Sequence, residues 1–393
     1  MKPSLTLMAK EIKIKRLKDN LPVFDGGLGE NRLPPPPSMV SNIKKYSHLK
    51  EYTDSRGIDK LKKILGNKLL VGNGLKPLLF VIQLAFTKLF PEGNIFHSSP
   101  HWVSYSEQTQ LINKETILVN HNSEWKIDLV DFENKLKSNP GPPLLIFNNP
   151  TNPSGCIYNH QEIYDLVKIL KKYKVLVLSD DIYDKIIHPK FIKEFCSLKN
   201  HYDNIIYGSS LSKTFACGGY RLGWFVFPEN NSLLDYLYDI CQSIASSIYS
   251  CPSIMLQHVA AEALKYPKDI LDQMEFQNIM YQNVTQYCIN RFTKMNVKCS
   301  DSKAAWYILL DFSYYKDNFE KNNILSSDDL CERLINKLGF ITVSGCAFSI
   351  KKNYVLRYSV VDITDIDILN NAFSYNNIIL GLNELYKWLK KFS

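Results

Sequence analysis

Short apolar runs, set between amphipathic stretches, organise this chain. Asn94–His97, Leu144–Phe147, Val175–Leu178, Ile205–Tyr207 and Leu222–Phe227 are almost continuously apolar, without the alternation of a half-exposed strand. That pattern predicts buried strands of a parallel sheet. Between them lie helical patterns. Asn159 begins the clearest, with Glu162 three residues on as in a capping box, and Ile163, Leu166, Val167 and Leu170 on one stripe. Leu75–Phe90 is apolar on nearly every side, so a buried helix is expected, with Pro77 in the first turn where no N–H partner is lost. Strands alternating with helices imply an α/β fold: a mostly parallel sheet with helices on both faces.

The last part of the chain reads differently. A long helical stretch, Lys268–Phe292, leads into "AAWYILLDF", a helix over Asp328–Leu338, and then "FITVSG" and "YVLRYSVV". This predicts a smaller α+β domain. The expected division is a large domain over 46–265 and a small one from 1–45 together with 266–393. Pro34–Pro37 should be an extended, stiff crossing segment.

Composition changes this picture little. The chain has 393 residues, 45% apolar and 22% charged, an ordinary globular balance. Its net charge of +8 comes from lysines scattered over many helices, the pattern of solvated faces, so no nucleic-acid partner is expected. Nine cysteines without a C-x-x-C pair read as free thiols in a reducing compartment, with no metal site. The longest stretch free of Asp, Glu, Lys and Arg, Ile240–Ala261, carries Gln, Ser, Pro252 and His258, so no membrane span is expected. The N-terminus is basic without an apolar core, which reads as an arm or helix of the folded protein. A cytoplasmic location is expected, and a mitochondrial one stays open.

Candidate chemistry follows the strands. In open α/β sheets, ligands bind beyond the carboxyl ends. Here the strands are followed by "SSPHW", "NNPTNPSG", "SDDIYD" and "GSSLSK". Lys213 lies in "SLSKTFACGGYRLGW", with Ser210 and Ser212 before it and Arg221 after it. A lysine amine attacks an aldehyde only when neighbouring cations or desolvation favour its neutral form. Arginine and hydroxyls suit a phosphate. A strand-end aspartate can hold a heterocyclic nitrogen protonated, and an aromatic ring can stack on a flat cofactor. Pyridoxal 5'-phosphate (PLP) needs all of these at once. The histidines His97, His101 and His188 read as structural or exposed. The "GNG" at Gly72–Gly74 lacks the third glycine of a dinucleotide fingerprint.

In this order the motifs resemble the fold-type-I PLP enzymes, and among them the class I/II aminotransferases of the aspartate aminotransferase type, over about Phe24 to Val361. The resemblance implies that Lys213 forms the internal aldimine and then shuttles the proton. It implies phosphate contacts from Ser210, Ser212, Arg221 and the backbone of Gly74 and Leu75. Asp180 would pair with the pyridine nitrogen. Tyr183 and Asn152 would bond the ring 3-oxygen, and Trp102 would stack on the ring. Arg357 would grip the substrate α-carboxylate, with Gly29 lining that pocket. Tyr52 would reach the phosphate of the partner subunit, implying a homodimer. The substrates would be an L-amino acid and a 2-oxo acid, exchanged by transamination. A lyase or synthase on the same fold is the alternative, followed by a non-catalytic PLP-binding regulator. Some positions depart from the family pattern. Leu75 stands where many relatives have a hydroxyl, "NPSG" replaces "NPTG", "SDD" replaces "SDE", and "KAA" precedes the strand where glycine is common. Dicarboxylate-specific relatives carry an arginine in the region matching Ser243–Pro252, which here has no Arg or Lys.

Overall fold

The local signals are present as physical contacts. Asn159 caps the helix His160–Lys172: its side chain accepts from the Glu162 N–H, and the Glu162 carboxylate reaches back to the Asn159 N–H. The computed structural model describes residues 5–229 and 231–392, with side chains from residue 11 onward. Leu5–Lys18 is a helix of the basic N-terminal arm, and residues 1–4 of that arm lie outside the described residues.

The main sheet has seven strands: β1 (Leu69–Gly72), β2 (Asn94–Ser98), β3 (Thr116–Val119), β4 (Pro143–Asn148), β5 (Leu176–Asp180), β6 (Ile205–Ser210) and β7 (Gly223–Val226). Their spatial order is β1-β7-β6-β5-β4-β2-β3. All neighbouring pairs are parallel except those of β7, which runs antiparallel to both β1 and β6. This corrects the expectation of a parallel strand at Leu222–Phe227. The run from β6 to β7 contains only the Lys213 turn and one short helical turn, and a parallel return needs a longer crossover. Apolar content cannot report strand direction. Two strands, β1 and β3, escaped the sequence reading. Each is four residues long, and three of the four in β3 are only half-buried.

Continuous apolar strands arise because successive residues feed opposite cores. Leu144 packs with Leu78, Ile82 and Phe225 on one face. Leu145, its neighbour, packs with Phe132, Leu166 and Leu170 on the other. The helix Leu75–Leu89 is buried along most of its length, as its composition requires.

A second sheet of four antiparallel strands carries the C-terminal part. Lys298–Cys299, Tyr307–Asp311, Val343–Ser344 and Val355–Ser359 form β8 to β11, in the order β10-β11-β9-β8. Its core holds Trp306, Tyr358, Phe292 and Leu334. Phe24–Asp25 pairs with Phe340–Ile341 and ties the N-terminal segment to this part. Two boundaries differ from expectation. Pro37 is the first residue of the helix Pro37–Tyr46, because proline's fixed φ suits that position and its missing N–H costs nothing there. Met39 of that helix packs against Leu69 and Val71 of the large sheet, so 37–45 does not join the smaller core. The helix Lys268–Thr293 spans both cores: Ile270 packs with the large sheet, and Met280, Val284 and Phe292 pack with the small one.

Candidate active site

At the carboxyl ends of β2, β4, β5 and β6 the chain leaves a cavity of about 730 Å³, lined by residues from both sheets. Trp102, Asn152, Asp180, Tyr183, Ser212, Lys213, Arg221, Gly29, Leu75 and Arg357 all line it.

Asp180, the last residue of β5, is 4% exposed. Its Oδ2 accepts from the Tyr105 hydroxyl at 2.7 Å, and its Oδ1 from the Ile182 N–H at 3.2 Å. Burial pushes its carboxyl up to about 6, against the opposing pull of those two bonds and of the Lys213 charge. A cation placed beside it would bring it back down. Asp181 does not compete for this role: it bonds Ser179 at 2.5 Å and lies 3.5 Å from Lys199.

Lys213 follows β6 in a turn whose backbone is held from outside. Its carbonyl accepts from Asn31 at 2.9 Å, and Asn31 is bonded in turn by Tyr281 and to Gln277. Its Nζ donates to the Gly29 carbonyl and lies 5.9 Å from the Tyr183 ring centre and 5.6 Å from that of Trp306. The Tyr183 hydroxyl meets that of Tyr307 at 2.8 Å. Burial and that contact raise Tyr183 well above an ordinary phenol.

Arg357, on β11, is 6% exposed and aimed into the cavity. Nη1 donates to the Asn152 side-chain oxygen at 3.2 Å, and Nη2 to the Gly27 carbonyl at 2.6 Å. Its guanidinium carbon lies 4.7 Å from the Tyr307 ring centre and 5.0 Å from that of Phe348. Its Nε is buried without a partner, an orphaned donor that an anionic ligand would suit. With the Asn152 oxygen engaged, its NH2 is the end left to donate.

The start of the helix Leu75–Leu89 is built from close approach. Gly74, at φ +94°, precedes the helix Leu75–Leu89, and a Cβ there would lie 2.3 Å from Arg221 Nη2. A Cβ on Gly223 would lie 2.6 Å from the Leu75 nitrogen. The helix start, whose first-turn N–H groups lack intrahelical partners, therefore lies beside Arg221, the ready-made setting for an anion. Arg221 is itself left-handed at φ 57° and is anchored to the carbonyls of Gly218 at 2.8 Å and Asn73 at 3.1 Å.

Ser210 and Tyr52 do not line this cavity. The Ser210 hydroxyl is fully buried and accepts from the Ser212 N–H at 3.1 Å, so it shapes the turn without lining the cavity. Tyr52 is 92% exposed and outside the cavity of its own chain. Among the lining residues not foreseen, three bear on the chemistry. Tyr105 bonds Asp180, and Tyr307 bonds Tyr183 and covers Gly29, where a Cβ would lie 2.4 Å from its hydroxyl. Tyr105 stands three residues after Trp102, a helical spacing that could have placed both on one face. Lys76 is the third, with Nζ 4.7 Å over the Trp102 ring. Burial lowers its amine, Glu107 opposes this, and Arg221 and Lys213 reinforce it. Of the histidines, His97, His101 and His188 are all buried. Burial takes His101 and His188 down to about 4 and His97 well below the usual imidazole range, which keeps all three neutral.

These groups fit pyridoxal phosphate: a lysine amine, a buried carboxylate for the ring nitrogen, a phenol and an amide for the ring oxygen, and an anion cup at a helix start. Fold and cavity together define a PLP-dependent transferase of fold type I. The profile of the family "Aminotransferase class I and II" matches residues 27–373, and the chain belongs to that family. It is a PLP-dependent aminotransferase. An aspartate aminotransferase of Sulfurisphaera tokodaii is 27% identical over 351 residues, 84% of this chain and 83% of that one. A bifunctional aspartate aminotransferase and glutamate/aspartate-prephenate aminotransferase of Petunia hybrida is 26% identical, covering 88% and 75%. The solved aspartate aminotransferase of Rhizobium meliloti shares the fold, with a TM-score of 0.86 at 20% identity over 100% of this chain and 98% of that one. Among the described residues no helix is long and apolar enough to cross a membrane.

Proposed function

We propose that the transamination is carried by Lys213, Asp180, Tyr183, Asn152, Arg221 and Arg357 in these roles, between an L-amino acid and a 2-oxo acid. One observation carries the reading: Lys213, Asp180 and Arg357 face a single cavity although they come from three separate segments. Bound, the cofactor supplies an aldehyde and an electron sink. Arg357 holds the substrate α-carboxylate through the N–H groups nearest the cavity, and Asn152 fixes the guanidinium plane. That would set the Cα–H bond toward Lys213, whose amine is placed to take the proton from Cα and hold it for return. Asp180, ionised at neutral pH, would keep the ring nitrogen protonated. Tyr183 and the Asn152 amide would donate to the ring oxygen. Leu75 N–H and Arg221 would hold the phosphate, and Trp102 would cover the ring.

The side-chain preference belongs to the same reading. Relatives are named for aspartate, yet Ser243–Pro252 has no cation here. Lys76 lines the cavity without an ion-pair partner among the described residues, so a dicarboxylic amino acid is the substrate class it fits. Tyr52, exposed and unused by its own site, supports a homodimer in which it reaches the partner's phosphate. The division into a large part of about 46–265 and a small part from the N-terminal arm and 266–393, and a cytoplasmic location, complete the proposal. Borohydride reduction of the holoenzyme with peptide mapping tests its core: cofactor mass is expected on the peptide carrying Lys213. Label on another lysine would overturn it.

A further inference from the structure

Away from the cavity, three metal-competent side chains meet at the start of the helix His160–Lys172. His160 is its first residue, Cys196 precedes a short turn at Leu198–Asn200, and His201 ends that turn. One ligand atom from each lies within 4.8 Å of the others. Cys196 Sγ is 3.2 Å from His201 Nε2. His160 has no side-chain hydrogen-bond partner among the described residues, so a Cys–His hydrogen bond alone does not account for its place. We propose that His160, Cys196 and His201 form a binding site for a zinc-like divalent cation, outside the active-site cavity.

The chemistry of the three ligands selects the ion. One thiolate and two neutral imidazoles suit a borderline-soft metal and exclude calcium and magnesium, which require oxygen ligands. Tetrahedral zinc with S and N ligands places those atoms about 3.5 Å apart, given Zn–S near 2.3 Å and Zn–N near 2.0 Å. The observed spacing closes to this with small rotations of two exposed imidazoles. A solvent molecule would complete the shell. The thiol is the fixed ligand. The Cys196 N–H donates to the Tyr158 carbonyl at 2.9 Å, and its carbonyl accepts from Asn149 at 2.9 Å. A cysteine ligand binds as the thiolate, so binding expels the thiol proton and affinity should rise with pH. The same Asn149 accepts from the Tyr158 N–H at 3.2 Å, so the cation would brace the loop that carries Asn152.

Cobalt(II) titrated into metal-stripped holoenzyme reads the site directly. One equivalent should give the visible d–d bands of tetrahedral cobalt, and zinc should displace it. Cys196→Ala should abolish the bands, and His160→Asn with His201→Asn should weaken binding more than about tenfold while keeping the thiol. Thermal unfolding of the wild type should shift upward with zinc and that of the variants should not. Cofactor absorbance in each variant verifies the fold, and the double histidine variant suffices should Cys196→Ala not fold. Absent bands, or bands equal in wild type and double variant, would overturn the proposal and leave a Cys–His hydrogen bond.

Discussion

At the scale of single residues, Arg357 and Asp180 show how burial turns ordinary side chains into specific ones. Arg357 is desolvated, packed near the rings of Tyr307 and Phe348, and left with an unpartnered Nε. Lysine in its place keeps the charge and loses the planar pair of donors. Arg357→Lys is expected to lower kcat/KM for amino acids by about 10- to 100-fold, the worth of one charge-assisted hydrogen bond. Steady-state kinetics check it. Lys213→Ala should retain the cofactor non-covalently and lose at least about 10²- to 10⁴-fold in rate, the usual range for a positioned proton-transfer group. For Asp180 the sign of the pH effect follows from burial. Its folded value is raised to about 6, so in the free protein it contributes stability below the ordinary carboxylate range, lost as pH rises through about 6. A cofactor cation demands the opposite state. Cofactor affinity of the wild type relative to Asp180→Asn should therefore fall on acidification below about pH 6, by up to about tenfold per pH unit. Titrations of both apoproteins from pH 5 to 8 check this; parallel curves would count against it. Most of these residues were legible in the sequence, because each sits in a contiguous motif after an apolar run. Tyr105, Tyr307 and Lys76 were less so, since their roles arise from contacts between segments that no local pattern reports.

Elements place those residues by terminating where they do. β5 ends on Asp180, β6 gives way to the Lys213 turn, and the helix Leu75–Leu89 begins beside Arg221. Gly74 makes that last junction possible. Gly74→Ala forces a side chain into φ +94° and into the Arg221 guanidinium. It should cost about 1–3 kcal/mol of stability and weaken cofactor binding as Arg221 moves, as read by thermal unfolding of the apoprotein and by cofactor titration. The strand positions were readable from apolar runs because the sheet is buried on both faces. The direction of β7 was not, since composition is the same whichever way a strand runs, and the short edge strands β1 and β3 carried too little pattern to stand out. The setting of Ser210 was hidden for a related reason. Its spacing from Lys213 suggests a ligand, while the pleat of β6 turns it inward to the Ser212 N–H.

Across the whole molecule, the cavity is shared between two sheets: Asp180 and Lys213 come from the large one, and Arg357 and Tyr307 from the small one. Tyr52 remains outside, 92% exposed. If it serves a partner's phosphate, dilution to the monomer should lower activity per chain, and Tyr52→Phe should weaken cofactor binding without changing the dimer. Sedimentation alongside activity separates these effects. How the segments share two cores was only partly legible. The helix Lys268–Thr293 crosses from one core to the other, and Met39 packs on the sheet opposite to the one its sequence position suggests, because packing partners lie far apart in the chain.

The most direct test of transamination by this site is a half-reaction: cofactor-loaded enzyme mixed with single amino acids and no acceptor. Conversion of the cofactor to its amine form is expected with a stoichiometric 2-oxo acid and no free ammonia. Dicarboxylic amino acids should be fastest, and Lys213→Ala should be inert. Catalytic release of ammonia, or an unchanged cofactor spectrum with every amino acid, would contradict it.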